Sequence, residues 1–425
     1  MEPFRFVHAA RLLIDHPLQG TGWLPDPMRS LAEDATRLAF ERIVETCLNE
    51  QVDALLLAGD SVDHRDASLR AWSALRHGCE RLAEAGIPVV IVFGLCDPWE
   101  GWPAHDRWPA NVFRLGGTVD GPDEVPLFRD DRLLATVQHV VDSSTATEDS
   151  PWLLKLPNGR ESDFRITLAS GALEQDFESP GPGHFPDRDA AQRAARGHYG
   201  ATGGGPGART VVLSGWLTHD PGPPQGIHPR ECGPRGCTLV RVDSAGATHR
   251  EFIATAPIRF EQLGVVVTPP MTCDELQLEM LAALEQLPRY PSDRGWLIAW
   301  NVSGQGPWLE TLADPQRRGK VLDEVHSQHG LEGLLIHSHA VRVCPQPGET
   351  PEEDDLAAAF DRALAAKVNR PHWLAAQSAD RFPPPYAQWN QALGALVAEL
   401  DPQEVSLAAR RLGRRWLAAE ESIPS

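Results

Sequence analysis

The sequence lacks the patterns that would place it in a membrane or in an oxidising compartment. No uncharged apolar run reaches the roughly 18 residues that a membrane span needs. The N-terminal stretch MEPFRFVHAARLLID carries acidic and basic residues where a signal peptide has its apolar segment. The seven cysteines are scattered and include no Cys-x-x-Cys pair, which argues against a disulfide framework or a zinc ribbon. We therefore predict a cytoplasmic protein with reduced thiols.

Basic residues are also scarce. Lys and Arg number 39 against 59 Asp and Glu, which gives a formal net charge of −20. Because proteins bind nucleic acids largely by neutralising phosphates with Lys and Arg, this balance weighs against tight DNA binding by the chain alone. The stretch RRLGRRW, which begins at Arg410, is a candidate basic patch, although such a run more often forms a solvated helix face.

The first hundred residues alternate between strand and helix patterns. The chain has 425 residues, of which 42% are hydrophobic, so it is an ordinary globular protein too long for one compact core. The order of predicted elements is the strand FRFVHAA, the helix LAEDATRLAFERIVETCLNE, the strand VDALLLAGD, the helix SLRAWSALRHGCERLAEAG and the strand IPVVIVFG. This order predicts a parallel sheet covered by helices, and ligands bind outside the carboxyl ends of such strands.

Polar residues follow each of these strands and should meet at one edge of the sheet. They are His8, Arg11 and Asp15 after the first strand, Gly59, Asp60 and Asp63 after the second, and Gly94, Cys96 and Asp97 after the third. An Asp directly after a strand can also cap a helix, so a functional role and a capping role remain alternatives for Asp60 and Asp97.

Beyond residue 111 the pattern changes to short strands and turns. The segments HREFIAT and IRFEQLGVVV are predicted to pair and to close a second sheet, while the glycine run GATGGGPGA is predicted to be a loop. Pro269 and Pro270 mark a predicted boundary. We expect a large domain over residues 1–268, a small α+β cap domain over residues 269–346 and a helical tail over residues 347–425.

Four separated segments resemble the SbcD/YhaO branch of the calcineurin-like metallophosphoesterases, which are DNA-repair exonucleases. They are FRFVHAARLLIDHPLQG, DATRLAFERIVETCLNEQVDALLLAGDSVD, PGPPQGIHPRECGPRGCTLVRVD and WLIAWNVSGQGP. The resemblance implies an α/β fold, a four-layer sandwich of two packed sheets flanked by helices, to which the cap and the tail are added. It also implies two divalent metal ions, such as Mn²⁺, and an SbcC-like SMC-type ATPase as a partner that docks on the cap or the tail.

The metal-binding motifs of that family are mostly replaced in this chain. Asp-x-His falls on Arg11-Leu12-Leu13, Gly-Asp survives as Gly59-Asp60, and Gly-Asn-His-Asp/Glu becomes Gly94-Leu95-Cys96-Asp97. The lone His of the family falls on Ser170, and Gly-His-x-His falls on Gly203-Gly204-Gly205-Pro206, with His184 and His198 as upstream alternatives.

Arg11 puts a positive charge where the family has a metal-binding carboxylate. Two like charges about 4 Å apart repel by several kcal/mol at an effective dielectric near 20. We therefore predict that the usual two-metal centre does not form and that no cofactor is bound. The protein is then a pseudoenzyme, a scaffold or regulator in DNA repair. We also expect Arg11 to pair with Asp60, Asp97 or both and so to stand in for the metal.

Two alternatives stay open at this stage. In the first, Asp60, Asp63 and Asp97, helped by His64 and Cys96, hold one divalent ion such as Mn²⁺, and the chain is an active phosphodiesterase or DNA exonuclease with a rebuilt site. In the second, Arg11, the backbone at Gly94 and the ring of Trp99 bind an anionic ligand. Tryptophans after a strand, here Trp99, Trp102 and Trp108, more often fill a core.

Overall fold

The structure is a computed structural model. It describes residues 1–66, 68–104, 107–116, 124–139, 164–171, 198–213, 216–345, 360–361, 364–365, 397, 401, 403–410 and 412. The chain divides into two compact units, Met1–Pro345 and Gln346–Ser425. In the second unit residues 403–410 are helical. Most of the predicted helical tail and of the predicted basic patch lies outside the described residues.

The first sheet has six strands in the order β12-β11-β1-β2-β3-β4. Their bounds are β1 Phe4–Ala9, β2 Ala54–Ala58, β3 Val89–Val92, β4 Val112–Leu115, β11 Gly236–Val242 and β12 Thr248–Ala254. Strands β1 to β4 are parallel, as the alternating pattern predicts, and β11 joins β1 in antiparallel orientation. The carboxyl ends of β1, β2 and β3 therefore lie at one edge.

Two helices, α1 (Asp26–Asn49) and α2 (Leu69–Glu84), pack on the outer face of this sheet. Phe40, Ile43, Val44 and Cys47 lie on one face of α1 at helical spacing, and all four are buried in this packing. Helix α2 begins after Ser68, whose hydroxyl accepts a hydrogen bond from the backbone N–H of Ala71 and so satisfies one free donor of the first turn.

The second sheet also has six strands, in the order β5-β6-β7-β8-β10-β9. Their bounds are β5 Glu124–Arg129, β6 Arg132–His139, β7 Phe164–Leu168, β8 His198–Ala201, β9 Arg209–Leu213 and β10 Trp216–Asp220. Its inner face packs on the first sheet through a shared core that includes Phe6, Leu56, Phe164 and Tyr199. Two large sheets flanked by helices confirm the predicted fold class, that of the calcineurin-like phosphoesterases.

A third sheet has three parallel strands, β13 (Ile258–Val267), β14 (Gly295–Gly304) and β15 (Leu335–Pro345). Helices α3 (Cys273–Glu285), α4 (Pro307–Ala313) and α5 (Pro315–Gln328) pack against it around a core that contains Trp296 and Trp300. The predicted pairing of HREFIAT with IRFEQLGVVV is wrong, because β12 pairs with β11 and β13 pairs with β14. An apolar pattern predicts a strand but does not name its partner, and β13 belongs to the third sheet although it precedes residue 269.

Candidate functional site

The loops after β1 and β2 are joined by backbone hydrogen bonds at the carboxyl edge of the first sheet. Arg11 N–H donates to Gly59 O at 3.0 Å, and Leu13 N–H donates to Asp60 O at 3.1 Å. Arg11, Leu13, Asp15 and Asp60 have φ angles of 49°, 42°, 67° and 54°, a left-handed conformation that is unfavourable for residues other than glycine. Because each such residue costs roughly 1–3 kcal/mol and such strain clusters at functional sites, these loops mark the edge as a candidate site.

Asp97 joins the end of β2 to the end of β3. Its Oδ1 accepts the backbone N–H groups of Asp60 at 2.9 Å and Gly94 at 2.6 Å, and its Oδ2 accepts the N–H of Ser61 at 2.8 Å. The side chain is fully buried. Burial raises the pKa of Asp97 to about 7, and the three backbone donors act in the opposite direction. Both carboxyl oxygens are thus engaged in holding the two loops together.

Asp60 and Cys96 form the next layer of this edge. Asp60 Oδ1 accepts the backbone N–H of Cys96 at 2.8 Å. A Cβ atom at Gly94 would overlap Asp60 Oδ1, so this close approach requires glycine there. Burial, followed by the carboxylates of Asp60, Asp63 and Asp97, raises the pKa of the Cys96 thiol to about 11. Cys96 is therefore a neutral thiol at neutral pH in the absence of a metal ion.

Arg11 forms an ion pair with a residue that the sequence did not single out. Its Nη1 donates to Glu231 Oε1 at 3.0 Å and to Gly205 O at 3.3 Å. The predicted pairing with Asp60 or Asp97 is wrong, since among the described contacts no ion pair within 4.0 Å joins Arg11 to either carboxylate. Asp97 already accepts three backbone N–H groups, and Glu231 offers the guanidinium a carboxylate that is almost as well buried.

Residues 203–207, which we call the glycine loop, are held from two sides. Asp220, which is 1% exposed, accepts the N–H of Gly205 at 2.8 Å through Oδ2, and burial raises the pKa of its carboxyl. Arg235 donates to the carbonyl oxygen of Pro206 and, at 3.1 Å, to that of Glu231. Burial lowers the pKa of Arg235, which remains a cation at neutral pH.

Ser170 and Gly203, onto which the last two histidine motifs of the family fall, lie near this edge. A Cβ atom at Gly59 would lie 2.5 Å from Ser170 Oγ, and one at Gly203 would overlap Ala10 Cβ. The assignment of the two motifs to these residues stays a prediction. His198 begins β8, at the far end of the strand that leads to Gly203, and His184 lies outside the described residues.

The remaining predicted site residues have local partners. Asp63 Oδ1 accepts the N–H of Arg65 at 3.1 Å, and His64 Nδ1 lies 2.9 Å from Cys96 O. The Arg114 guanidinium covers the ring of Trp99, 4.7 Å from its centre. The N–H of Gly94 already binds Asp97, so neither it nor the covered face of Trp99 is available to an anion.

Two of the predicted tryptophans support the loop after β3. Trp102 is 8% exposed and donates its indole N–H to Asp97 O at 2.9 Å. Its ring packs against Trp108, with centroids 5.3 Å apart. These contacts favour the core-filling interpretation for both residues.

Asp15 has a structural role at the neighbouring loop. Its carboxylate accepts hydrogen bonds from Ser68 and, at 2.7 Å, from Arg70. Asp15 thereby ties the loop after β1 to the start of α2.

These residues do not fit the pair of divalent ions that the family usually uses. A divalent ion needs several oxygen, nitrogen or sulfur donors with free lone pairs. Asp97 already accepts three backbone N–H groups and keeps at most one acceptor site, and Arg11, paired with Glu231, puts a cation at the edge. Among the described residues no three His, Cys, Asp or Glu side chains are arranged to hold a metal ion.

Sequence reasoning missed Glu231, Asp220 and Arg235. Glu231 and Arg235 lie in the segment PGPPQGIHPRECGPRGCTLVRVD, which carries part of the resemblance. A signal was present, because a buried strand (β11) follows directly and returns the chain to β1. Charged residues just before such a strand are brought to the same edge as Arg11.

The two facing sheets, with polar loops gathered at their carboxyl edge, define the class as a calcineurin-like phosphoesterase fold. The chain is 28% identical over 271 residues to the uncharacterized metallophosphoesterase YhaO of Bacillus subtilis strain 168. The match covers 62% of this chain and 63% of YhaO, less than two thirds of either protein. No protein-family model matches the chain. The similarity supports a distant relationship to the metallophosphoesterases, a family of phosphoester hydrolases.

None of the described helices combines the length and the apolar character that crossing a bilayer requires.

Proposed function

We propose that this chain is a catalytically degenerate relative of the SbcD/YhaO-type DNA-repair exonucleases, and that it acts as a scaffold or regulator through protein contacts. The observation that carries the proposal is the position of Arg11, whose guanidinium is held by Glu231 3.0 Å away where the resemblance implies a metal-binding carboxylate. Two unit charges about 4 Å apart interact by about 4 kcal/mol at an effective dielectric of 20, and a divalent ion doubles that repulsion.

The hydrogen bonds of Asp97 support the same conclusion. A carboxylate offers about four acceptor sites, and Asp97 uses three of them for backbone N–H groups, which leaves at most one for an ion. Coordination through both oxygens would leave a buried backbone donor without a partner, which costs about 1–3 kcal/mol. The arrangement suits a site whose loops are held by protein groups alone.

Metal content and turnover test this proposal directly. The purified chain is incubated with excess Mn²⁺, desalted, and assayed for bound metal and for hydrolysis of bis(p-nitrophenyl) phosphate and single-stranded DNA. We expect sub-stoichiometric metal and no turnover above that of the Asp60→Ala variant. Asp26→Asn, which alters an exposed carboxylate on α1, is the matched control. Stoichiometric Mn²⁺ with turnover that disappears in Asp60→Ala but persists in Asp26→Asn would instead establish an active enzyme with a rebuilt site.

We propose an SbcC-like SMC-type ATPase as the partner, docked on the cap over residues 269–346 or on the tail over residues 347–425. The net charge of −20 makes tight DNA binding by the chain alone unfavourable, so a DNA-repair role would depend on that partner. Affinity purification of the full chain, followed by cross-linking and mass spectrometry, should recover a large ATPase linked to one of these two regions. Absence of any such ATPase under mild salt would remove the DNA-repair part of the proposal.

A further inference from the structure

Three chain segments that are distant in sequence meet at Arg11, one through its backbone N–H and two through its guanidinium. The first is its own loop, which is fastened to β2 by the hydrogen bond from Arg11 N–H to Gly59 O at 3.0 Å. The second is the glycine loop, through Gly205 O. The third is the turn before β11, through Glu231, whose other oxygen accepts the N–H of Ile227 at 2.8 Å. One side chain thus ties together three loops of the edge.

Arg235 closes the same network from the opposite side. It donates to Glu231 O at 3.1 Å, to Cys232 O at 2.8 Å and to Pro206 O. The turn and the glycine loop are therefore bridged twice, once by each arginine. Arg11 and Glu231 have side chains only 17% and 8% exposed, so water and salt screen their pair weakly.

A divalent ion ties loops together by collecting oxygen atoms from separate segments of a chain. The guanidinium of Arg11 does the same, because it collects a carboxylate oxygen from one segment and a carbonyl oxygen from another. The donors of the guanidinium are fixed in a planar fork, so this tie does not depend on metal supply.

We propose that Arg11, with Glu231 and Arg235, is a protein-built replacement for a metal ion as the structural tie of this edge. The three residues form what we call the arginine clamp. It holds the glycine loop and the turn at residues 227–231 against the ends of β1 and β2. The inference concerns what orders these loops, so it stands or falls separately from the proposed lack of catalysis.

Hydrogen–deuterium exchange of the full chain tests the clamp. In Arg11→Gln we expect the backbone amides of residues 203–207 and 227–231 to exchange roughly tenfold faster or more, because local opening no longer breaks a charge-assisted hydrogen bond. Peptides from α1 should be unaffected. Arg11→Lys, which keeps the charge but loses the fork, should fall between the wild type and Arg11→Gln. Arg29→Gln, which removes an exposed ion pair with Asp26, is the matched control and should leave the same amides unchanged.

Glu231→Gln and the double variant Arg11→Gln/Glu231→Gln separate a clamp from two independent contributions. If the clamp acts as a unit, the increase in amide exchange rate in the double variant is much smaller than the product of the increases in the two single variants. Glu231→Gln also serves if Arg11→Gln fails to fold, since it retains an acceptor for Arg11. Equal exchange in the wild type and the single variants would overturn the proposal. Faster exchange of these amides on adding EDTA to the wild type would also overturn it, because a metal ion would then be the tie.

Discussion

The state of Asp97 gives the sharpest quantitative prediction, because two strong effects act on it in opposite directions. Burial favours the neutral carboxyl and raises its pKa to about 7, whereas three backbone N–H groups favour the carboxylate. The structure therefore predicts that the native state retains this proton up to about pH 7, while the unfolded chain releases it near pH 4. Titration of Asp97 therefore makes a pH-dependent contribution to stability.

The sign follows from counting protons. Between pH 4 and pH 7 Asp97 holds its proton in the native state but not in the unfolded state, so its contribution to the free energy of unfolding falls as pH rises. The contribution is fully present below about pH 4 and is lost as pH rises through 7. Between pH 5.5 and pH 8.5 the free energy of unfolding of the wild type should fall by about 2 kcal/mol relative to that of a variant without this titration.

Asp97→Asn removes the titration but keeps Oδ1 as an acceptor for two of the three donors. Its amide NH₂ group faces the N–H of Ser61, so two donors oppose each other. The variant should therefore be less stable at every pH by about 1–3 kcal/mol or more. Urea unfolding followed by tryptophan fluorescence at pH 5.5, 7.0 and 8.5 measures both quantities, with Asp26→Asn as the control for an exposed carboxylate. A stability difference between wild type and Asp97→Asn that stays constant across this range would refute the reasoning, since it would mean that the backbone donors keep Asp97 ionised throughout.

Three further predictions concern the same edge and the third sheet. Gly94→Ala should destabilise the protein by about 2–3 kcal/mol or more in urea unfolding, because the added methyl overlaps Asp60 Oδ1. Trp102→Phe should cost about 1–2 kcal/mol in the same assay, because it leaves the carbonyl of Asp97 without the indole donor. Burial and neighbouring histidines lower the pKa of His326 to about 4, so its stabilising contribution is present above pH 6.5 and is lost, by up to about 3 kcal/mol, as pH falls from 6.5 to 4. In His326→Gln the melting temperature should fall less between pH 6.5 and pH 4 than it does in the wild type. An equal fall in both proteins would contradict the assignment.

The first sheet could be predicted because its signals are local. Strands β1, β2 and β3 are short apolar runs followed by polar residues, and α1 shows its buried stripe at helical spacing. Strands β8 and β10 were missed because the four residues HYGA and the five residues WLTHD carry no alternating pattern and adjoin turns. The pairing of β12 with β13 was wrong for a different reason, since partner choice is decided by packing of whole sheets and not by the sequence of either strand.

The sequence predicts where the site lies in the fold but not which side chains contact each other there. Arg11, Asp60, Asp97, Ser170 and Gly203 do reach the carboxyl edge, because strand ends fix where the chain arrives. The direction of each side chain is not encoded in spacing. Arg11 and Glu231 are 220 residues apart, and only the fold shows that Glu231 is the available carboxylate while Asp97 is consumed by the backbone.

The direction of the donors at this edge bears on what the site can bind. Its positive groups point inward: the N–H groups of Asp60, Ser61 and Gly94 end on Asp97, and the guanidinium of Arg11 ends on Glu231. A phosphate or a nucleic-acid backbone would need such donors facing solvent.

The exposed residues of these loops have mixed character, since the loop after β2 exposes His64, Arg65 and Asp66. Leu95, where the family has an asparagine ligand, is 94% exposed, and among the described residues no cation lies within 4.0 Å of Asp60 or Asp63. An exposed leucine beside carboxylates that have no ion-pair partner offers a contact to a protein surface that presents apolar and basic side chains. The metal-content and turnover assay distinguishes such contacts from hydrolysis of a phosphoester.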